Sequence, residues 1–390
     1  MNTLLLFTVV MFVLLLFPRL LNRLGIPNVT AEIAAGILVG PYGFGLIEPN
    51  SALKAIAQLG LVFLMFLAGM EMDPQVFRGN RNRTVLLTCC NGGIPFLGGL
   101  LVGRFFGLGW LEAVLLGSIF TSSSVGIIIP VFREIRGSGE RVQRMGDLVI
   151  SAVVIMDILS LLVLSVVVRI QAGGAGGIWL FILSAVLFLA AVLYLVPKIG
   201  HRFFRLDHGT LVHFETEVRF ILFVLLLVTF LAEVLHVHAI VGAFLAGVAL
   251  SETFDVHACK DCEEKLTTLG YSFFIPIFFL VMGMETNLGV LFQARENLFI
   301  TITVVLGLIC TKAGSGALAG TLLGMPFRES LGMGFATIPQ LSATLAAAAV
   351  GRELGLLNEA FFVAIVVLSI VTTMISPVVT RRLLAPRRPT

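Results

Sequence analysis

The chain has 390 residues, of which 58% are hydrophobic and only 13% charged, and its mean hydropathy is +1.03. These values exclude a soluble globular domain and a nucleic-acid binder, and they specify an all-α polytopic membrane protein. The formal charge of +3 carries little meaning as a total, because the position of the basic residues along the chain says more.

The first stretch, Met1 to Leu16, is apolar, lacks a basic leader and has no small-residue cleavage pattern after it, so it reads as a retained first span. Cutting the chain at Gly, Pro and charge clusters gives about 13 predicted transmembrane helices. They cover 3–21, 27–41, 53–71, 84–104, 111–132, 146–168, 178–198, 217–236, 238–251, 267–285, 298–321, 329–350 and 359–380. The second and ninth are short for a straight crossing, a feature of transporter sites when it recurs in two halves.

The loops predict the orientation. With the N-terminus outside, the cytoplasmic side carries Arg19, Arg23, Arg78, Arg81, Arg83, Arg133, Arg136, Arg141, Arg144, Lys198, Arg202, Arg205, Arg219, Lys260, Lys265, Arg328, Arg381, Arg382, Arg387 and Arg388, which is 20 of the 26 basic residues. The outer side keeps Lys54, Arg104, Arg169, Arg295 and Arg352. This asymmetry predicts N-out and C-in with an odd number of spans. The basic tail 381–390 is too short to hold a regulatory domain.

Internal repetition is visible. Ala34-Ala35-Gly36-Ile37-Leu38 parallels Leu245-Ala246-Gly247-Val248-Ala249. Leu67-Ala68-Gly69-Met70-Glu71-Met72 parallels Val281-Met282-Gly283-Met284-Glu285-Thr286, and Arg133-Glu134-Ile135 parallels Arg352-Glu353-Leu354. A first repeat over about 1–168, a linker helix at 178–198 and a second repeat over about 217–380 follow, within a single transport domain of 1–390. Six spans plus one place the second half upside down relative to the first, an inverted repeat of the alternating-access kind.

Two spans are interrupted by polar residues at equivalent positions. The fifth reads Thr121-Ser122-Ser123-Ser124 followed by Gly126 and Pro130; the twelfth reads Thr337-Ile338-Pro339-Gln340-Leu341-Ser342. Pro339 removes a backbone donor, and non-helical backbone at this depth survives only where it is buried or lines water. Two such breaks facing each other bring opposite helix-dipole ends to the midplane. Between them in sequence, the apolar run 146–168 begins with Asp147 at its edge and holds one carboxylate near its middle, Asp157. An acid at bilayer depth costs roughly 2.5–3.5 kcal/mol on insertion scales, so it marks a functional site by default. Lys312 is a second lone charge at comparable depth.

Four stretches carry a family resemblance: Gly36-Ile37-Leu38-Val39-Gly40-Pro41, the run 61–71, Gly242-Ala243-Phe244-Leu245-Ala246-Gly247, and the run 276–283. Together they resemble the monovalent cation:proton antiporter-2 family, with its Kef-type and Na⁺/H⁺-exchanging members. The resemblance implies an NhaA-like antiporter fold with two crossed broken helices, a homodimer, and elevator-like alternating access in the inner (plasma) membrane. It places the ion-binding carboxylate at Asp157 and the basic partner at Lys312. One position departs from the pattern: members usually carry Asp, Asn or Gln before the key Asp, and this chain has Met156. A thioether is a poor ligand for hard Na⁺ or K⁺, so the site has a single carboxylate.

The expected chemistry is exchange. An acid that holds either a proton or a metal cation, but not both, couples the two obligatorily. Asp157 is the candidate metal ligand for transported Na⁺ or K⁺, with oxygen ligands from Thr121, Ser122, Ser123, Ser160 and Gln340. Lys312 either bonds Asp157 in the ion-free state or offsets negative helix ends. Glu32, Asp147, Glu233 and His236 are candidates for a cavity rim or pH sensing, with structural anchoring as the plainer reading. Cys259 and Cys262 have CxxC spacing but no second ligand pair. No phosphate loop or hydrolytic triad occurs, so no cofactor and no enzyme activity are expected. The expected partners are Na⁺ or K⁺, H⁺, the bilayer and a second copy. The sequence predicts a secondary cation/proton antiporter, electroneutral because of the single carboxylate. A ligand-gated K⁺ efflux system of the Kef type and a Na⁺-coupled organic-anion symporter are the alternatives.

Overall fold

The computed structural model describes residues 3–23, 26–70, 81–135, 140–171, 173, 178–206, 214–235, 237–256 and 260–384. Every regular element among them is helical. In chain order the helices are α1 (Thr3–Asn22), α2 (Asn28–Val39), α3 (Ser51–Met70), α4 (Arg81–Phe105), α5 (Trp110–Thr121), α6 (Val125–Glu134), α7 (Glu140–Gln171), α8 (Ile178–Leu206) and α9 (Phe214–Val234). They continue as α10 (Ala239–Val256), α11 (Lys260–Leu269), α12 (Ile275–Met284), α13 (Val290–Gln293), α14 (Arg295–Leu322), α15 (Phe327–Ala336), α16 (Ser342–Glu353) and α17 (Glu359–Leu384). Among the described residues nine helical stretches are long and apolar enough to cross a membrane, and two shorter apolar helices lie at Asn28–Val39 and Ala239–Ser251.

The helices form two compact units. The first comprises Met1–Val10, Pro49–Pro74 and Ser165–Val281. Its centre is the crossing of α3 and α10, which α8 and α9 flank. Lipid supplies no hydrophobic drive between helices, so close van der Waals approach decides this packing. A Cβ on Gly69 would collide with the Phe244 carbonyl, and one on Gly247 with the Phe66 carbonyl. Glycine at both positions is therefore what permits the crossing. A π-helical turn, Gly270–Phe274, leads into α12, and its Phe274 ring stacks on Phe63 of α3 at 4.7 Å.

The second unit comprises Met11–Glu48, Gln75–Leu164 and Met282–Thr390. Here α4 packs on α5 and α14, and α14 packs on α15 and α17. The Gly99-Leu100-Leu101-Val102-Gly103 run of α4 admits α5: its two glycines lie against Leu116, Gly117 and Ala113. On α14, Gly316 meets Gly334 of α15 backbone to backbone. At one end of the unit Arg352 pairs with Glu359 at 3.1 Å and Glu285 at 3.5 Å while lying over the Phe362 ring. Glu285, at the end of the tenth predicted span, thus takes part in an ion pair. Gly283 passes close to Ile33 and Gly36 of α2, and Gly40 close to Met284.

Candidate functional site

The site lies wholly within the second unit, at two interruptions of helix. Helix α5 stops at Thr121 and α6 starts at Val125, so Ser122–Ser124 is the first break. Helix α15 stops at Ala336 and α16 starts at Ser342, so 337–341 is the second. Pro339 explains the second stop, since it lacks an N–H and disfavours helix at Ile338 before it. The serines explain the first: each offers the backbone an alternative partner to the helical ladder.

The breaks hold each other. The Ser124 N–H donates to the Pro339 carbonyl at 2.7 Å, and the Ser123 hydroxyl donates to the Thr337 carbonyl at 2.7 Å. The Gln340 amide donates to the Ser122 carbonyl at 2.6 Å, and the Ser122 hydroxyl donates to Gln340 Oε1 at 3.1 Å. Thr344 joins this lock through Ser122, 2.8 Å away, and through Gln340 Oε1. Helix α17 supports the second break: Thr372 accepts from the Gln340 N–H, and Ser376 donates to the Phe335 carbonyl. Backbone that the breaks free is thereby paired, as burial away from water requires.

Asp157, on α7, is 5% exposed, and Lys312, on α14, is fully buried. They address opposite dipole ends of the first break. Asp157 Oδ1 accepts the Ser123 N–H at 3.1 Å, on the approach to the N-terminus of α6. Lys312 Nζ donates to the Thr121 carbonyl at 2.6 Å, the last residue of α5, and to the Ser123 hydroxyl at 2.9 Å. The anion therefore meets the positive end of one half-helix and the cation the negative end of the other. No Asp157–Lys312 ion pair occurs among the described residues; Ser123 stands between the two, bound to the carboxylate by its N–H and to the ammonium by its hydroxyl. The only hydrogen bond to the Asp157 carboxylate among the described residues comes from Ser123.

The other candidates divide. The Thr121 hydroxyl donates to the carbonyls of Gly117 and Gly92. The Ser160 hydroxyl is turned to the Ser118 carbonyl at 2.9 Å and fastens α7 to α5. Ser122 and Gln340 belong to the lock between breaks. Glu32 is buried on α2, Asp147 is exposed near the start of α7, and Glu233 is exposed near the end of α9 in the first unit; none is hydrogen-bonded to the cluster. His236 lies outside the described residues, as do Glu71 and Cys259. Among the described residues no group of three His, Cys, Asp or Glu side chains is arranged to hold a metal ion.

Sequence reasoning passed over Asn91, and it named Met156 without its contacts. Asn91 of α4, fully buried, donates from its amide to the Lys312 carbonyl at 3.0 Å and to the Ser315 hydroxyl at 2.9 Å. The signal was present as one amide inside an apolar span. Met156, fully buried, lies where a Cβ on Gly92 would meet its Cγ at 3.3 Å, beside the Thr121 methyl. The residue before Asp157 thus makes an apolar contact with α4.

Known proteins share this chain's sequence and its fold. The family described as "Sodium/hydrogen exchanger, transmembrane" matches residues 9–385. A "Probable Na(+)/H(+) antiporter 3" of Methanocaldococcus jannaschii is 36% identical over 381 residues, covering 97% of this chain and 95% of that protein. The "Na(+)/H(+)-K(+) antiporter GerN" of Bacillus cereus is 29% identical, covering 91% of this chain and 89% of that one. The electron-microscopy structure of the sodium proton antiporter MjNhaP1 of M. jannaschii superimposes with a TM-score of 0.74 at 16% identity, over 100% of both chains.

Proposed function

The chain belongs to the sodium/hydrogen exchanger family and is a membrane cation/proton antiporter; from that premise we propose that Asp157 is its one exchange site. The match narrows the resemblance seen in the sequence toward the Na⁺/H⁺-exchanging members and away from the Kef-type ones. One observation carries the proposal. The carboxylate is buried against a helix N-terminus by a single N–H bond, while the neighbouring ammonium is engaged elsewhere, on Thr121 and Ser123. Asp157 therefore keeps acceptor capacity for one small cation or one proton.

In the cycle, Asp157 crosses once carrying its proton and once ionised with the cation. Asp157 and the Ser123 hydroxyl would supply the first ligand oxygens; Thr121, Ser122, Ser160 and Gln340 fix the backbone around them and add oxygens as the breaks shift. Lys312 neutralises the Thr121 end of α5 in both states. With Met156 in place of a second polar group, one proton moves per monovalent cation and exchange is electroneutral.

We further propose that the helices form 13 spans in inverted repeats and that the protein is a homodimer with its N-terminus outside. The repeat reading draws support from a reciprocal pattern of close approach. Helix α3 of the first half crosses α10 of the second at Gly69 and Gly247, and α12 of the second half crosses α2 of the first at Gly283 and Gly36. The functional test is purified protein in liposomes with an imposed pH gradient and added Na⁺, K⁺ or Li⁺. Cation-dependent dissipation of the gradient is expected for at least one ion. Conductance without proton movement would contradict the reading.

A further inference from the structure

Helix α4 carries a second polar feature, distinct from the breaks. Asn91 uses both amide hydrogens on α14, since the Lys312 carbonyl accepts only, and this fixes the direction of its amide. Its Oδ1 is left buried with no hydrogen-bond partner. One turn earlier, the Thr88 hydroxyl is buried and also without a partner. Several threonines in the described helices donate to the carbonyl three or four residues back, as Thr229, Thr311 and Thr372 do, whereas Thr88 does not. Pro95 lies four residues after Asn91 and has no N–H, so the Asn91 main-chain carbonyl also lacks its regular helical donor. Three oxygens with spare capacity thus lie along α4 between Thr88 and Pro95. Thr84, Thr88 and Asn91 stand at i, i+4 and i+7, on one helix face, and that face begins beside the exposed Arg81 and Arg83.

We propose that Thr88 and Asn91 build an internal water site on α4, and that the stripe Thr84–Thr88–Asn91 is a hydrated proton route from the Arg81 end of α4 to the Lys312 and Thr121 region. The role rests on the exchange reading above. Water fits the chemistry: it donates to the two Asn91 oxygens and accepts from the Thr88 hydroxyl. The route ends at the machinery, since Asn91 holds the Lys312 carbonyl and the next residue, Gly92, accepts the Thr121 hydroxyl. Protons reaching the site along α4 leave the breaks free for the cation.

The site itself is tested without transport. All five native cysteines are replaced, Thr88→Cys or Leu87→Cys is introduced, and the purified protein is treated with methyl methanethiosulfonate. The reaction needs the thiolate and hence water. Leu87 is a fully buried neighbour on α4 and serves as the dry reference. Thr88→Cys should react at least about tenfold faster than Leu87→Cys; equal rates overturn the site. Thr84→Cys stands in, with the same expectation, if Thr88→Cys does not fold. The role is tested in liposomes with Thr88→Val, which keeps shape and loses the hydroxyl. The maximal exchange rate should fall about tenfold while the apparent KM for the cation holds, and Thr88→Ser should restore the rate. Wild-type exchange in Thr88→Val, or no rescue by Ser, overturns the route. A wild-type protein with no exchange at all would instead sink the antiport reading and leave the reactivity contrast standing.

Discussion

Lys312→Met separates the two contributions of the buried lysine. The ammonium makes two short hydrogen bonds, to the Thr121 carbonyl and the Ser123 hydroxyl. Each bond from a charged donor contributes about 1.5–3 kcal/mol, so their gross loss is about 3–6 kcal/mol. Methionine refills the volume of the stem and removes a charge whose burial itself costs several kcal/mol. These opposing changes leave a net loss of about 1–2 kcal/mol where residue 157 carries no charge, and about 3–5 kcal/mol where the Asp157 carboxylate is left as an uncompensated buried charge. The assay is thermal unfolding of Lys312→Met in detergent without Na⁺, at one pH, in the wild-type and Asp157→Asn backgrounds. Lys312→Met should cost more in the wild-type background than in Asp157→Asn. Equal losses in the two backgrounds would refute the reasoning, because Lys312 would then be serving packing alone.

Gly316→Ala should destabilise by about 1–3 kcal/mol, because its Cβ would collide with the Gly334 Cα, whereas Gly314→Ala, with nothing within 4 Å, should be neutral or stabilising; thermal unfolding in detergent reads both. Ser122→Ala loses contacts to Gln340 and Thr344 but touches neither Asp157 nor Lys312, so it should lower stability by about 1–2 kcal/mol and reduce the maximal exchange rate more than it raises the cation KM. In liposomes with a clamped membrane potential and no pH gradient, cation flux should not follow the imposed voltage. If it does, and the dependence vanishes in Lys312→Gln, the lysine carries a second proton.

The interrupted helices and the two buried charges were legible because each violates a membrane rule locally. Four hydroxyl residues in a row, a proline amid Thr337 and Gln340, one acid and one lysine are all costly at bilayer depth. The break 122–124 falls inside the polar run that announced it. What Lys312 bonds to was not legible, because a lysine stem can reach either a carboxylate or a helix end and only the three-dimensional course of α5 decides. Asn91 was overlooked because a lone amide between Cys90 and Gly92 breaks no periodicity; its meaning comes from α14, more than 200 residues later. The two compact units were also hidden. They draw on scattered segments, 1–10, 49–74 and 165–281 in the first, whereas the repeats expected from the sequence are consecutive halves.

The central claim is that one carboxylate carries both the proton and the cation. Asp157→Asn keeps an oxygen that accepts the Ser123 N–H, so the fold should persist. The decisive measurement is cation-driven proton movement by this variant, reconstituted beside wild type at equal protein. The account predicts wild-type exchange for at least one of Na⁺, K⁺ and Li⁺, and background rates in Asp157→Asn with all three despite normal folding. Exchange by the variant near the wild-type rate would contradict it.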